Sequence, residues 1–273
     1  MKTRVITAAV LVPVLLVIVL AAPKIVTALV WGAMMAIAAY ELLYRTELVQ
    51  DAGLVISSAV MAFAVTLWSY FGAEDSWGLL GVMTFVMVLF AQMMMSHVKI
   101  TFDKVCMCMV AGLVVPYLLS SLIRIHTMKT GKFMVLIPFI VAFASDAGAY
   151  FAGRFFGNHK MAPVISPHKT VEGAIGGMIC AIVAMILYTV ILDLPFESLN
   201  FNVNYLYAVI YGLFGSLVGI MGDLCFSVIK RQTGIKDYGN LIPGHGGVLD
   251  RFDSMMLVGP LMEALILLIP VAV

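Results

Sequence analysis

The sequence predicts an all-α polytopic membrane protein, and three observations carry that reading. Hydrophobic residues make up 63% of the 273 positions and charged residues only 11%, with a mean hydropathy of +1.07. A soluble domain carries roughly 25% charged residues. The apolar residues fall in runs of about 20, the length that crosses a bilayer as a helix. These runs show no polar–apolar alternation, which excludes the strands of a membrane barrel.

About nine spans can be placed, at 5–22, 25–44, 53–72, 77–95, 105–124, 133–152, 172–192, 205–228 and 254–272. Lys2 and Arg4 precede the first run as they would in a signal peptide, but no small-residue cleavage site follows, so the run is read as a helix. Pro23-Lys24 makes the first hairpin turn. The chain divides into an N-terminal region, 1–132, with about five spans, and a C-terminal catalytic region, 133–273, with two long polar loops at 153–171 and 229–253. No internal repeat is evident, which weakens a transporter built from inverted halves. The four cysteines lie in apolar stretches with no C-x-x-C pair, arguing against disulfides and zinc. The 20 methionines fill gaps between helices. A net charge of +1 without a basic tail argues against nucleic acid as a partner.

Orientation follows from the loops. With nine spans, Lys24, Arg124, Lys129 and Lys132 fall on one side and the other twelve of the 16 cationic residues on the opposite side. The positive-inside rule then puts the N-terminus in the cytoplasm and the C-terminus outside. Both long polar loops become cytoplasmic, where nucleotides are found.

Charge and glycine concentrate in the second of these loops, between Ser227 and Asp253, a density that needs a reason in so apolar a chain. Cations and main-chain N–H groups freed by glycine suit phosphate oxygens, and carboxylates suit Mg²⁺. Asp223, Ser227 and Lys230 or Arg231 recur at i, i+4, i+7 and so share one face of the eighth helix. Asp223 lies about 10 Å along the axis below Lys230, at a depth where a carboxylate is costly without a cation. Asp250 and Asp253 share a face if the ninth helix starts near Leu249. Asp146 sits inside the sixth apolar helix and must face a helix partner or a ligand cavity. Thr170 is the expected N-cap of the seventh helix, with Glu172 in its first turn; Lys169 and Ser166 before it make an anion site or a capped helix end. His245 reads equally as a general base or as a hydrogen-bonding prop in a glycine turn.

At these residues the sequence resembles the phosphatidate cytidylyltransferases (CDP-diacylglycerol synthases). Their signature, S-x-x-K-R-x₄-K-D and P-x-H-G-G-x-x-D-R-x-D, is matched by Ser227, Lys230, Arg231, Lys236, Asp237, Pro243, His245, Gly246, Gly247, Asp250, Arg251 and Asp253, with no position missing. Ser145-Asp146, Gly148, Tyr150, Gly153-Arg154 and the Ser166–Gly173 block are also similar to family blocks. The resemblance implies transfer of the cytidylyl group of CTP to phosphatidate with Mg²⁺, and leaves room for a second cation. It implies Asp223 and Asp250 as metal ligands, with Asp253, Asp146 and Asp237 as further members of the set. Asp223, Asp250, Lys230, Arg231, Asp253 and His245 form the expected catalytic group. Ser166, Lys169, Thr170, Glu172, Ser227, Lys236, Asp237, Gly246, Gly247 and Arg251 are the expected substrate contacts. The partners implied are CTP, phosphatidate and the bilayer of a bacterial inner membrane, with the site facing the cytoplasm; a homodimer is compatible with them.

The D-G-x-x-A-R…G-x-x-x-D-x-x-x-D pattern of CDP-alcohol phosphatidyltransferases is absent. A CTP-dependent lipid kinase of the dolichol-kinase type is the nearer alternative, separated by its product. A transporter with a nucleotide-sensing loop is the alternative from another class, separated by flux without CTP turnover. The orientation has its own test. In a cysteine-free background, Asn158→Cys and Asn240→Cys should resist an impermeant thiol reagent in intact cells and label after permeabilisation; labelling from outside would reverse the topology.

Overall fold

The computed structural model describes residues 13–14, 16–72, 75–194, 203–242, 244 and 246–272. Among them, seven helices are long and apolar enough to cross a membrane: Lys24–Arg45, Ala52–Phe71, Ser76–Met95, Phe102–Thr127, Gly131–Phe156, Val171–Asp193 and Tyr205–Gln232. Each coincides to within a few residues with an expected span, and the chain is an α-helical polytopic membrane protein. Half of the expected span 5–22, residues 5–12 and 15, lies outside the described residues. At the other end, Met255–Leu268 is an apolar helix of 14 residues, about 21 Å long and shorter than the ~30 Å hydrocarbon core.

Two compact units form, one from Met1–Lys132 with Ile229–Phe252, the other from Phe133–Val228 with Asp253–Val273. In the first, α1 (Lys24–Tyr40) runs on as a π-turn, Glu41–Arg45. Helix α2 (Ala52–Phe71) is capped by Asp51, whose Oδ1 accepts from Leu54 N at 3.2 Å, and it ends at Gly72 with φ +55°. That left-handed C-terminal glycine closes the last turn at no steric cost. Helix α3 is Asp75–Met95. The next span is broken into α4 (Phe102–Met109), a π-turn (Val110–Val114), α5 (Val115–Leu119) and α6 (Ser121–Thr127). Pro116 lacks the N–H that the Gly112 carbonyl needs, so the turn before it widens. Across the core, Trp31 Nε1 donates to the Leu119 carbonyl at 3.2 Å, and the Trp31 ring meets Phe252 edge-on at 5.2 Å.

The second unit follows α7 (Gly131–Met134) with α8 (Leu136–Phe156), α9 (Val171–Asp193) and most of α10 (Tyr205–Gln232). Helices α8 and α9 approach backbone to backbone: a Cβ on Gly177 would lie 2.6 Å from the Ser145 carbonyl oxygen, and one on Gly173 2.8 Å from that of Ala149. Lipid offers helices no hydrophobic drive to associate, so close van der Waals packing through small residues takes its place. The loop expected between these helices is not featureless. It folds into an antiparallel hairpin, β1 (Lys160–Ala162) with β2 (Ser166–Thr170), pairing Lys160 with Thr170 and Ala162 with Ser166. The stretch 153–171 expected as a polar loop thus carries a short hairpin between two helices, and every candidate span among the described residues is helical. After α10 come α11 (Leu249–Phe252), in the first unit, and α12 (Met255–Leu268), in the second.

The helix seam makes a graded prediction. Gly177→Val pushes a side chain into a backbone carbonyl and should destabilise by about 1–3 kcal/mol, read as a lowered Tm in detergent. Gly81→Ala, where a Cβ meets nothing within 4 Å, should be neutral or gain up to about 1 kcal/mol from helix propensity.

Candidate active site

Two clusters of polar side chains emerge, one within each unit. In the second unit, Thr170 closes β2 and opens α9, its hydroxyl accepting from Gly173 N at 3.1 Å as an N-cap. That cap fixes the strand-to-helix turn and with it Lys169, the residue just before. The Lys169 ammonium pairs with Asp223 Oδ2 on α10, while Ser227 Oγ, one turn on, donates to Asp223 Oδ1 at 3.2 Å. The shared helix face of Asp223 and Ser227 is therefore present. The Lys169 and Asp223 side chains remain 25% and 29% exposed. An open pair of this kind holds by about 1 kcal/mol or less, so an incoming polyanion can take the lysine and leave the carboxylate available. Glu172 braces the hairpin: it accepts from His159 N at 3.2 Å and lies 2.6 Å from His159 Nδ1.

In the first unit the glycine loop is held by two carboxylates. Just beyond α10, Gly234 takes φ +71° and Ile235 N returns to the Lys230 carbonyl at 3.0 Å. The chain then crosses itself where Ile242 N donates to the Gly246 carbonyl at 2.9 Å. Asp250 lies beneath. Its Oδ1 accepts from Lys230 Nζ at 3.0 Å, and its Oδ2 from Tyr238 N at 2.7 Å and Gly247 N at 3.0 Å. This pair is closed: the Asp250 side chain is 2% exposed and that of Lys230 14%. Glu41 is the second carboxylate, with Oε1 accepting from Val248 N at 3.1 Å and Oε2 from Leu249 N at 2.9 Å.

The other expected residues are dispersed. Asp146 is exposed on α8, while Arg231, Lys236, Asp237 and Arg251 are exposed at the end of α10, in the loop and on α11. Ser166 and Gly246 are half-buried and Gly247 buried. His245 and Pro243 lie outside the described residues. Asp250 and Asp253 do not share a continuous helix, because α11 stops at Phe252 and Asp253 sits in the turn before α12, its Oδ1 accepting from Ser254 N at 2.8 Å. A local side-chain acceptor of this kind competes with the helix for the backbone N–H and favours a turn. Among the described residues no three His, Cys, Asp or Glu side chains converge on one point. Glu41 is the residue sequence reasoning missed. The signal was present, since a carboxylate between Tyr40 and Leu42 in an apolar helix carries the same cost that singled out Asp146.

Seven long apolar helices, with one lysine–carboxylate cluster in each unit, define a helical membrane protein with polar side chains held at its helix ends. The chain belongs to the cytidylyltransferase family, whose profile matches residues 2–269. It is 32% identical to the phosphatidate cytidylyltransferase of Bacillus subtilis over 98% of either chain. With the phosphatidate cytidylyltransferases of Staphylococcus saprophyticus and Staphylococcus aureus it shares 42% and 44% identity over 142 residues, so that it spans about half the length of these two relatives, 52% in each case.

The unequal burial of the two ion pairs sets their expected cost. Lys230→Met strands a buried carboxylate and should destabilise by about 3–5 kcal/mol. Lys169→Met breaks an open pair and should change stability by no more than about 1 kcal/mol. Thermal unfolding of the two variants in one detergent compares them directly; equal losses would contradict the unequal burial of the two pairs.

Proposed function

We propose that this protein transfers the cytidylyl group of CTP to phosphatidate, forming CDP-diacylglycerol and releasing pyrophosphate. The reaction is placed at the cytoplasmic face of a bacterial inner membrane, in a chain with nine spans, an N-terminus inside and a C-terminus outside. The observation that carries the reading is the partly exposed Lys169–Asp223 pair, with Ser227 on one Asp223 oxygen, where the hairpin meets α10 in a chain that matches the cytidylyltransferase family along nearly its whole length.

The chemistry asks for little covalent help. A phosphatidate oxygen, already anionic near neutral pH, bonds to the α-phosphorus of CTP, and the α–β bridging P–O bond breaks with its electrons leaving on pyrophosphate. The difficulty is to bring two polyanions together in line. Lys169 is free to leave Asp223 for a phosphate oxygen, while the exposed Lys236, Arg231 and Arg251 are suited to the remaining charge. Ser227 holds one Asp223 oxygen by its hydroxyl and so fixes the orientation of the carboxylate.

Asp223 fits a hard cation. Mg²⁺ takes one or two carboxylates and completes its shell with water and substrate phosphates, which needs no three-residue protein cage. Asp250 already accepts three hydrogen bonds, one of them from Lys230 at Oδ1, so a cation there would compete with the lysine. When bound, Mg²⁺ supplies charge neutralisation on the phosphates.

The discriminating assay supplies purified protein with CTP labelled in the cytidine, phosphatidate and Mg²⁺, and follows label into the lipid phase. Cytidine in the lipid is expected. A phospholipid product with free CDP would identify a lipid kinase instead, and vesicle flux without CTP turnover a transporter. Asp223→Asn should lower kcat by at least 10³-fold at unchanged expression, with EDTA silencing the parent protein; substantial turnover in the variant would remove Asp223 from the metal site.

A further inference from the structure

Nothing in the phosphate chemistry above uses Glu41, yet the carboxylate is 3% exposed and sits in a membrane-spanning helix. A charge buried so deeply persists only where partners compensate it. Its partners are two consecutive backbone N–H groups more than 200 residues away, Val248 at 3.1 Å and Leu249 at 2.9 Å, one to each oxygen.

Three further observations point the same way. The helix changes register at this residue: the π-turn begins at Glu41, and a π-bulge re-aims side chains at functional positions. The loop has also been emptied of side chains around the carboxylate. A Cβ on Gly239 or on Gly247 would run into the Glu41 oxygens, and Gly247 donates its own N–H to Asp250. Finally, the two carboxylates divide the loop between them, with Asp250 taking the N–H groups of 238 and 247 and Glu41 those of 248 and 249. Each is pinned by a different element, Asp250 by α11 and Glu41 by the π-turn that follows α1.

We infer that Glu41 is a positioning residue for the reaction: it fixes the backbone of the glycine loop so that Lys236 and the loop N–H groups are presented to the triphosphate of CTP. This role rests on the cytidylyltransfer reading and extends it to a residue in the N-terminal half of the chain. The two oxygens are not interchangeable with an amide. Glutamine would set an NH₂ against one of two N–H donors, whereas aspartate keeps both acceptors and shortens the reach by one methylene.

The test uses the full-length protein in detergent. Glu41→Gln should raise the KM for CTP at least tenfold and leave the KM for phosphatidate within twofold. Amide exchange in peptides spanning 238–250 should be at least tenfold faster, with 171–193 unchanged, and Glu41→Asp should recover part of both effects. Faster exchange with an unchanged KM for CTP would reduce Glu41 to a structural prop and overturn the inference, as would a parallel rise in both KM values. Unchanged exchange in Glu41→Gln overturns it whatever reaction the parent protein performs. Should the parent protein fail to transfer cytidine at all, the proposed reaction falls, while the exchange measurement still decides whether Glu41 holds the loop.

Discussion

Irregular backbone at the edge of a membrane must find acceptors for its N–H groups inside the protein, and in this chain two buried carboxylates provide them. Asp250 and Glu41 accept four backbone N–H groups between residues 238 and 249, and Lys230 compensates the charge of one. Buried inside the protein, each of these groups left unsatisfied would cost about 1–3 kcal/mol. Glycine at 247 and 239 is a consequence of the arrangement, since the space a side chain would occupy is filled by the Glu41 carboxylate. A loop thus held can stay ordered while its exposed face, with Lys236 and Asp237, remains open to solute.

The two lysine–carboxylate pairs look alike in sequence and differ in kind. Lys230–Asp250 is nearly sealed, so separating it would strand a charge. Lys169–Asp223 is partly exposed, 25% and 29% by side chain, so separating it strands less buried charge. Exchange of partners is what a phosphate-binding lysine requires. The buried pair thus belongs to the loop's own framework, and the more exposed pair is the one that solvent and ions can reach more readily.

The scaffold beneath these clusters follows the economics of lipid. Helices α8 and α9 meet through Gly173 and Gly177 rather than through large apolar side chains, because apolar side chains gain nothing by leaving lipid for each other. The same close approach carries the strand-to-helix turn at Thr170, and so the position of Lys169. Where the helices depart from regularity, at Glu41–Arg45 and Val110–Val114, the hydrogen bonding stays within the helix as a π-turn. In a medium without water, that is the available way to bend.

Hydropathy determined the span boundaries, because the cost of a charge in lipid is paid residue by residue and needs no knowledge of neighbours. The Thr170 cap and the Asp223–Ser227 face were equally local, set by helical spacing alone. The 227–253 signature carried the family, since its spacing is a property of the chain. Partner choice was not local. Nothing in the order of residues says that Asp223 takes Lys169, from the hairpin, while Lys230 on its own helix takes Asp250. The hairpin and the break after Phe252 were both hidden in polar stretches, because each depends on a pairing or a turn of few residues. Glu41 shows the limit most clearly: its helix announced a costly carboxylate, but only the tertiary structure could bring it to N–H groups 207 and 208 residues further on.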